Sequence, residues 1–259
     1  MMMQELITQS YPAEKVLLLS LNRLEKRNAL NNATLRHLVE LLQQAEQNPD
    51  VGVVVITGHV SCFAAGADLA ELADLDVVNL QLDERPQLWQ KIDSFSKPLI
   101  AAVNGYALGA GFELVLHADI VLCGENAKFA LPEIGLGMLP GAGGTQRLAR
   151  LVGQQLAMRW AMTGEMLSAE QALQHGICSQ ISPTALTVQY AVELAGKIAR
   201  QAPLALRAIK QSVKNIHETS LSQGLKLERQ SFVWLAATQD RQEGISAFFE
   251  KRKPVFKGQ

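Results

Sequence analysis

Cysteine is scarce and unorganised in this chain of 259 residues: Cys62, Cys123 and Cys178 are scattered, odd in number and never spaced as Cys-x-x-Cys. That argues against both a disulfide framework and a zinc knuckle, and fits a reducing cytoplasm. Charge excess is also missing. A formal net charge of -1 and a pI near 6.5 provide no global electrostatic reason to bind nucleic acid or an anionic membrane. No apolar run reaches the ~20 residues that span a bilayer. The opening Met1-Met2-Met3-Gln4-Glu5-Leu6 has an early acid and no basic stretch leading into an apolar one, so no targeting segment is expected there.

Several chemistries lack their residues. His37, His59, His117, His175 and His217 are isolated, none at metal-ligand spacing from another His or Cys. Cys62 has no identifiable base partner and reads as a small buried residue. There is no Gly-Lys-Ser/Thr ending for a phosphate loop, no Gly-x-Ser-x-Gly elbow and no His-Glu-x-x-His helix. Gly109-Ala110-Gly111-Phe112-Glu113-Leu114 and Gly141-Ala142-Gly143-Gly144-Thr145-Gln146 each lack the third small residue of a dinucleotide-binding turn.

What is present is apolar substance: 48% hydrophobic residues against 19% charged, enough for one large domain or a domain with an appendage. Val16 to Leu21, Val51 to Thr57, Leu99 to Val103 and Ile120 to Cys123 read as short buried strands. Between them Thr34 to Gln47, Leu69 to Leu75, Leu88 to Phe95 and Gly111 to His117 read as helices. Near-continuous apolar strands alternating with helices imply an α/β class with parallel strands covered on both faces over residues 1-182. Ser168-Ala169-Glu170-Gln171 predicts a capping box on a short helix closed by Gly176. From residue 183 to 259 the pattern is helical only: Thr184 to Arg200, Pro203 to His217 and Gln223 to Ala237. No repeat of fixed period is evident.

Three turns are built of small residues: Phe63-Ala64-Ala65-Gly66-Ala67-Asp68, Leu108-Gly109-Ala110-Gly111 and Pro140-Gly141-Ala142-Gly143-Gly144. Any one alone is what glycine does as punctuation; three together can aim backbone N–H groups into a common cleft. Glu113 and Glu133 sit beside such turns among apolar neighbours, where partial burial raises a carboxyl pKa toward neutrality. Paired carboxyls of that kind suit shared acid and base work, and N–H groups nearby suit an oxyanion.

The stretches Ile100-Ala101-Ala102-Val103-Asn104-Gly105-Tyr106-Ala107-Leu108-Gly109-Ala110-Gly111-Phe112-Glu113, Phe129-Ala130-Leu131-Pro132-Glu133 and Pro140-Gly141-Ala142-Gly143-Gly144-Thr145-Gln146-Arg147-Leu148 resemble the enoyl-CoA hydratase (crotonase) superfamily. The resemblance runs from Leu21-Asn22-Arg23 to the end of the chain. It implies a spiral of β-β-α turns and a helical C-terminal region that mediates trimerisation, commonly as a hexamer of two trimers. It further implies an oxyanion hole from the N–H groups of Ala67 and Ala110, with Glu113 and Glu133 flanking the double bond of a trans-2-enoyl-CoA and Gly141 supplying an N–H near the water or Glu133. No metal or redox cofactor is implied, since coenzyme A is part of the substrate. Contacts to that handle fall to Arg27, Ala65, Asp68, Phe248 and Lys251. The frequent Asn-Arg-Pro is replaced here by Asn22-Arg23-Leu24, and Ala70 stands where some hydratases carry lysine, so phosphate contacts are expected to be fewer or differently placed.

Within the superfamily, Arg85-Pro86-Gln87-Leu88-Trp89 is similar to the branch hydrating 2,3-dehydroadipyl-CoA in phenylacetate degradation, which makes Arg85 and Trp89 acyl-pocket candidates. A generic short-chain hydratase of fatty-acid oxidation and a non-catalytic acyl-CoA-binding scaffold are the competing expectations. An RNA-binding variant is disfavoured by the lack of clustered cations.

Overall fold

Val53-Val54-Val55-Ile56-Thr57 shows how the fold starts: five residues, four of them valine or isoleucine, are all buried, as a strand covered on both faces demands. The computed structural model describes residues 5–73 and 75–259. Its strands are β1 (Ile7–Ala13), β2 (Val16–Leu21), β3 (Val53–Thr57), β4 (Cys62–Ala64), β5 (Leu99–Val103), β6 (Tyr106–Leu108), β7 (Ile120–Gly124), β8 (Lys128–Ala130), β9 (Leu167–Ser168) and β10 (Gln180–Ser182). Its helices are α1 (Asn32–Gln47), α2 (Leu69–Leu72), α3 (Val77–Leu82), α4 (Arg85–Asp93), α5 (Ala110–His117), α6 (Gly144–Val152), α7 (Gln154–Thr163), α8 (Ala169–Gln174), α9 (Thr187–Ala199), α10 (Pro203–Lys214), α11 (Leu221–Leu235) and α12 (Gln239–Phe249).

Two sheets run side by side. One has the order β1-β2-β3-β5-β7-β10 and the other β4-β6-β8-β9. Each turn of the chain gives one strand to each: β3 then β4, β5 then β6, β7 then β8. The like strands pair in parallel, with Ala101 opposite Val121 in the first sheet and Ala107 opposite Phe129 in the second. This is the β-β-α spiral that the resemblance implies. Antiparallel pairing among the described strands joins β1 with β2 and β8 with β9, beside an isolated bridge between His59 and Cys62.

Alternation divides the large sheet between two cores. Val54 and Ile56 face the main cluster with α1 and α5, whereas Val53, Val55, Ile100, Ala102 and Leu122 face α9. That helix presents Ala191, Ala195 and Ala199, four residues apart, so small side chains let its backbone lie close to the sheet. The helical stretch expected beyond residue 182 therefore begins with a helix belonging to the core. Past Ser182 every described element is helical or a 3₁₀ turn.

Several boundaries differ from the sequence reading for local reasons. Helix α1 starts two residues early because the Asn31 side chain caps it, accepting from Thr34 N at 2.8 Å. Strand β3 starts at Val53 because Gly52 and Val53 both donate to the Lys15 carbonyl in a turn. Helix α4 is set three residues upstream, with Pro86 in its first turn. The Thr184 segment opens as a 3₁₀ turn before α9, the Pro203 helix ends at Lys214, and α11 is shifted to Leu221–Leu235. Helices α3, α6, α7 and α12 and strands β1, β4, β6, β8, β9 and β10 were not delimited in the sequence reading. The capping box at Ser168 with Gln171 is present, and Gly176 follows with φ +75°. Among the described residues no helix is long and apolar enough to cross a membrane.

Candidate active site

The junction of β6 and α5 is where the loops meet. Gly109 has φ 47° and ψ −124°, a conformation closed to other residues, and its N–H is tied to the Ala130 carbonyl at 2.9 Å. A Cβ here would stand 2.7 Å from Glu133 Oε1 and 3.8 Å from Gly66 Cα, so this one position touches both the Gly66 turn and the second glutamate. Gly111 brings α5 onto β4: a Cβ would lie 2.2 Å from the Ala64 carbonyl oxygen.

Two main-chain donors are left over. Ala110 opens α5, where the first N–H groups have no acceptor inside the helix, and the turn closes only with Glu113 N to Gly109 O at 2.8 Å. Ala67 forms an isolated parallel bridge with Leu30, through Leu30 N to Gly66 O at 2.7 Å and Asp68 N to Leu30 O at 3.1 Å. Its own N–H therefore faces the other way. Among the described residues neither the Ala67 nor the Ala110 N–H meets an acceptor.

Glu113 is 2% exposed, and its Oε1 accepts from Ala142 N at 2.7 Å and Gly144 N at 2.8 Å. Burial pushes its carboxyl above the ordinary value, while those two amides and the Arg147 charge pull against it. Glu133, on the 3₁₀ turn Pro132–Leu136, is pushed up to about 7, first by burial and further by the charge of Glu113. Its Oε2 is buried with no hydrogen-bond partner among the described residues. Two carboxyls thus feel each other, one held by backbone donors and the other unsupported, an arrangement that separates a base from an acid.

His117 lies one turn below Glu113 on α5. Its Nδ1 is 2.8 Å from the Glu113 carbonyl, so that nitrogen carries the proton, and burial drives the ring pKa down to about 4. The imidazole is neutral near pH 7. Trp89 packs on it at 5.1 Å between ring centroids, is 7% exposed and belongs to the main core cluster. The Trp89 side chain, expected at the acyl pocket, is buried on the same helix as Leu88 and Ile92.

Arg85 is nearly enclosed, 13% exposed at the side chain, with Nη2 donating to Glu71 at 2.7 Å and Nη1 3.6 Å from Asp83. Gly141 is exposed and has no neighbour within 4 Å of a Cβ; its loop reaches the site through Ala142 and Gly144 instead. Those two amides went unnamed at the sequence level, although a helix opened by Gly143-Gly144 signals free N–H groups.

Of the residues expected at the CoA handle, Ala65 and Arg27 are adjacent, Ala65 N donating to Arg27 O at 3.0 Å, and the Arg27 side chain is exposed. Asp68 caps α2 through Ala70 N and pairs with Arg23 at 2.6 Å; that hydrogen bond holds its carboxyl below the usual range. Phe248 is 78% exposed near the end of α12, and Lys251 follows it with φ 55°. Among the described residues no hydrogen bond or ion pair joins either to Arg27, Ala65 or Asp68.

Residues 12–259 match the Enoyl-CoA hydratase/isomerase family. The 2,3-dehydroadipyl-CoA hydratase of Escherichia coli (strain K12) is 55% identical over 256 residues, covering 99% of this chain and 100% of that protein. The mitochondrial enoyl-CoA hydratase of Pongo abelii is 44% identical, covering 93% of this chain and 83% of its own length. The crystal structure of an enoyl-CoA hydratase from Bacillus anthracis superposes with a TM-score of 0.94 at 37% identity, over 98% of this chain and 100% of that one. With the spiral fold, the meeting of its loops and these likenesses in agreement, the chain belongs to the enoyl-CoA hydratase/isomerase family.

Proposed function

We propose that the protein adds water across the 2,3 double bond of a trans-2-enoyl-CoA to give a 3-hydroxyacyl-CoA. The observation that carries this reading is the split pair: Glu113 is cradled by two amides while Glu133, in reach of its charge, is raised to about 7. In the proposed step the Ala67 and Ala110 N–H groups take up charge developing on the thioester oxygen. The Glu113 carboxylate removes a proton from water as its oxygen bonds to C3, and protonated Glu133 delivers a proton to C2. The product holds the hydroxyl at C3 and the hydrogen at C2, and proton exchange with solvent resets both carboxyls. The Gly141 N–H is assigned to this water as a further donor, from the exposed start of the same loop. No cofactor takes part, and Arg27, Ala65, Asp68, Phe248 and Lys251 serve the CoA handle.

Hydration of crotonyl-CoA, followed as loss of the enoyl thioester absorbance, is the direct test. Absence of turnover on crotonyl-CoA and dehydroadipyl-CoA alike ends the proposal. The charge states also set a pH profile. An acid raised to about 7 is protonated below that pH and loses its proton above it, so kcat/KM should fall as pH rises beyond about 7. Glu113 must be ionised, which sets the acid limb. A flat profile from pH 6 to 9 contradicts the assignment of Glu133 as the acid.

The narrower reading is a substrate with a distal carboxylate, supported by the E. coli relative at 55% identity. Arg85 is its proposed partner: Nε and Nη1 are buried with no hydrogen-bond acceptor among the described residues, which leaves charged N–H donors for a carboxylate. Glu71 and Asp83 already face this group, so binding requires it to change partners. Arg85→Ala should cut kcat/KM for dehydroadipyl-CoA about tenfold or more relative to crotonyl-CoA. Equal loss on both substrates rejects the role.

The reading extends to a cytoplasmic homotrimer or pair of trimers. Its support is the apolar surface of α11, where Leu225, Phe232, Val233 and Trp234 are all exposed in the single chain.

A further inference from the structure

A charge cluster lies against the Glu113 loop, and the proposed chemistry makes no use of it. Arg147 sits in the first turn of α6, its N–H closing on Gly143 O at 2.8 Å. Its Nε lies 3.2 Å from where a Cβ on Gly143 would stand, so the guanidinium stem is pressed on the very residue between Ala142 and Gly144. Its Nη2 donates to Asp93 Oδ1, at the end of α4, at 2.8 Å. Lys214 from α10 donates to the same oxygen at 2.9 Å and to the Asp93 carbonyl at 2.8 Å. Three elements from distant parts of the chain therefore meet on one carboxylate.

Two cations against one anion leave the cluster positive. The charged or titratable groups acting on Glu113 or its helix are few: neutral His117 on α5, Glu133 on the 3₁₀ turn, Arg147 on α6, then Asp93 and Lys214 behind it. Arg147 is the cation whose field reaches Glu113. Among the described residues, the other groups that offset the burial of that carboxylate are the amides of Ala142 and Gly144, on either side of the Gly143 that Arg147 packs against.

We propose that Arg147 is a positioning residue for Glu113: held by Asp93 and Lys214, it fixes the loop presenting the Ala142 and Gly144 amides and keeps Glu113 in its carboxylate form. The proposal rests on the hydration reading above. It makes α10 a strut that reaches the acid–base pair without touching substrate. A cluster that merely ties α4, α6 and α10 together would behave differently, because its loss would lower activity equally at every pH.

The experiment is the pH dependence of kcat/KM on crotonyl-CoA for the full-length wild type, Arg147→Gln, Arg147→Lys and Asp93→Asn. Removing the Arg147 charge makes Glu113 harder to ionise. Arg147→Gln should therefore lose about tenfold in kcat near pH 7, with the acid limb displaced to higher pH and the deficit shrinking as pH rises. Arg147→Lys keeps the charge and should keep the limb in place. Asp93→Asn frees the Arg147 guanidinium from its anchor, and its limb should move to higher pH as well, by less than in Arg147→Gln. If Arg147→Gln does not fold, the Asp93→Asn shift decides alone. Unmoved acid limbs in the folded variants overturn the proposal, whatever happens to kcat. A wild type that hydrates nothing would sink the hydration reading instead, so the two failures are distinguishable.

Discussion

Glu113→Gln is expected to lower kcat by roughly a thousandfold, within the ~10²–10⁴ that a positioned acid or base contributes, while KM changes little. The amide has the same shape, and its oxygen can still accept from Ala142 and Gly144, whose N–H groups hold the native side chain at 2.7 and 2.8 Å. The local fold survives and only the ability to take a proton is lost. Alanine would be a poorer probe, since it leaves two inward-facing amides without their acceptor. Glu133→Gln should fall in the same range, and the double substitution should cost little more than either alone, because the two groups serve one step. Steady-state rates on crotonyl-CoA alongside thermal melting settle it. A loss below ~100-fold with the fold intact removes Glu113 from the chemistry.

Gly109→Ala is the second large effect. The added methyl would stand 2.7 Å from Glu133 Oε1, on a backbone at φ 47° that already excludes a side chain. Either the helix start rotates or Glu133 is displaced, and both spoil the aim of the neighbouring Ala110 N–H. A fall in kcat of about 10²–10³ is expected, the range for losing one oxyanion donor, with roughly 1–3 kcal/mol of stability lost to backbone strain. Gly196→Ala is the control. That glycine lies within α9 with nothing inside 4 Å of its Cβ position, and alanine there should leave the rate unchanged. Rates for Gly109→Ala within tenfold of the wild type would show that neither the turn nor the glutamate depends on this residue.

How far the chain could be read depended on how long each signal was. Val16–Leu21 and Leu99–Val103 were delimited to the residue because runs of four and five apolar positions, the first extended past Ser20 by Leu21, leave little choice. Strands β4, β6 and β8 hold three residues each, too few to show a period, and they exist because each lies beside its equivalent in the next turn of the spiral. Glu113 and Glu133 could be picked out beside their small-residue turns, but no local pattern places residues twenty apart in one pocket; that expectation came from the resemblance. The third turn was correctly singled out while its acting amides were not, since which N–H of a glycine-rich loop points inward depends on φ and ψ rather than on residue type. Trp89 was named from the resemblance alone, and its burial against His117 depends on which face of α4 packs on α5, which a nine-residue stretch does not reveal.

The two unsatisfied N–H groups of Ala67 and Ala110 have a consequence for how such a site changes over generations. A main-chain donor cannot be deleted by exchanging its side chain; only proline removes it, or a shift of the turn that aims it. The glutamates have no such protection, because any single replacement abolishes the carboxyl or, with aspartate, withdraws it by one methylene. On the proposed assignment, variation in this scaffold is therefore asymmetric, with the handling of protons open to replacement residue by residue while the capacity to polarise an acyl oxygen is passed on almost unaltered.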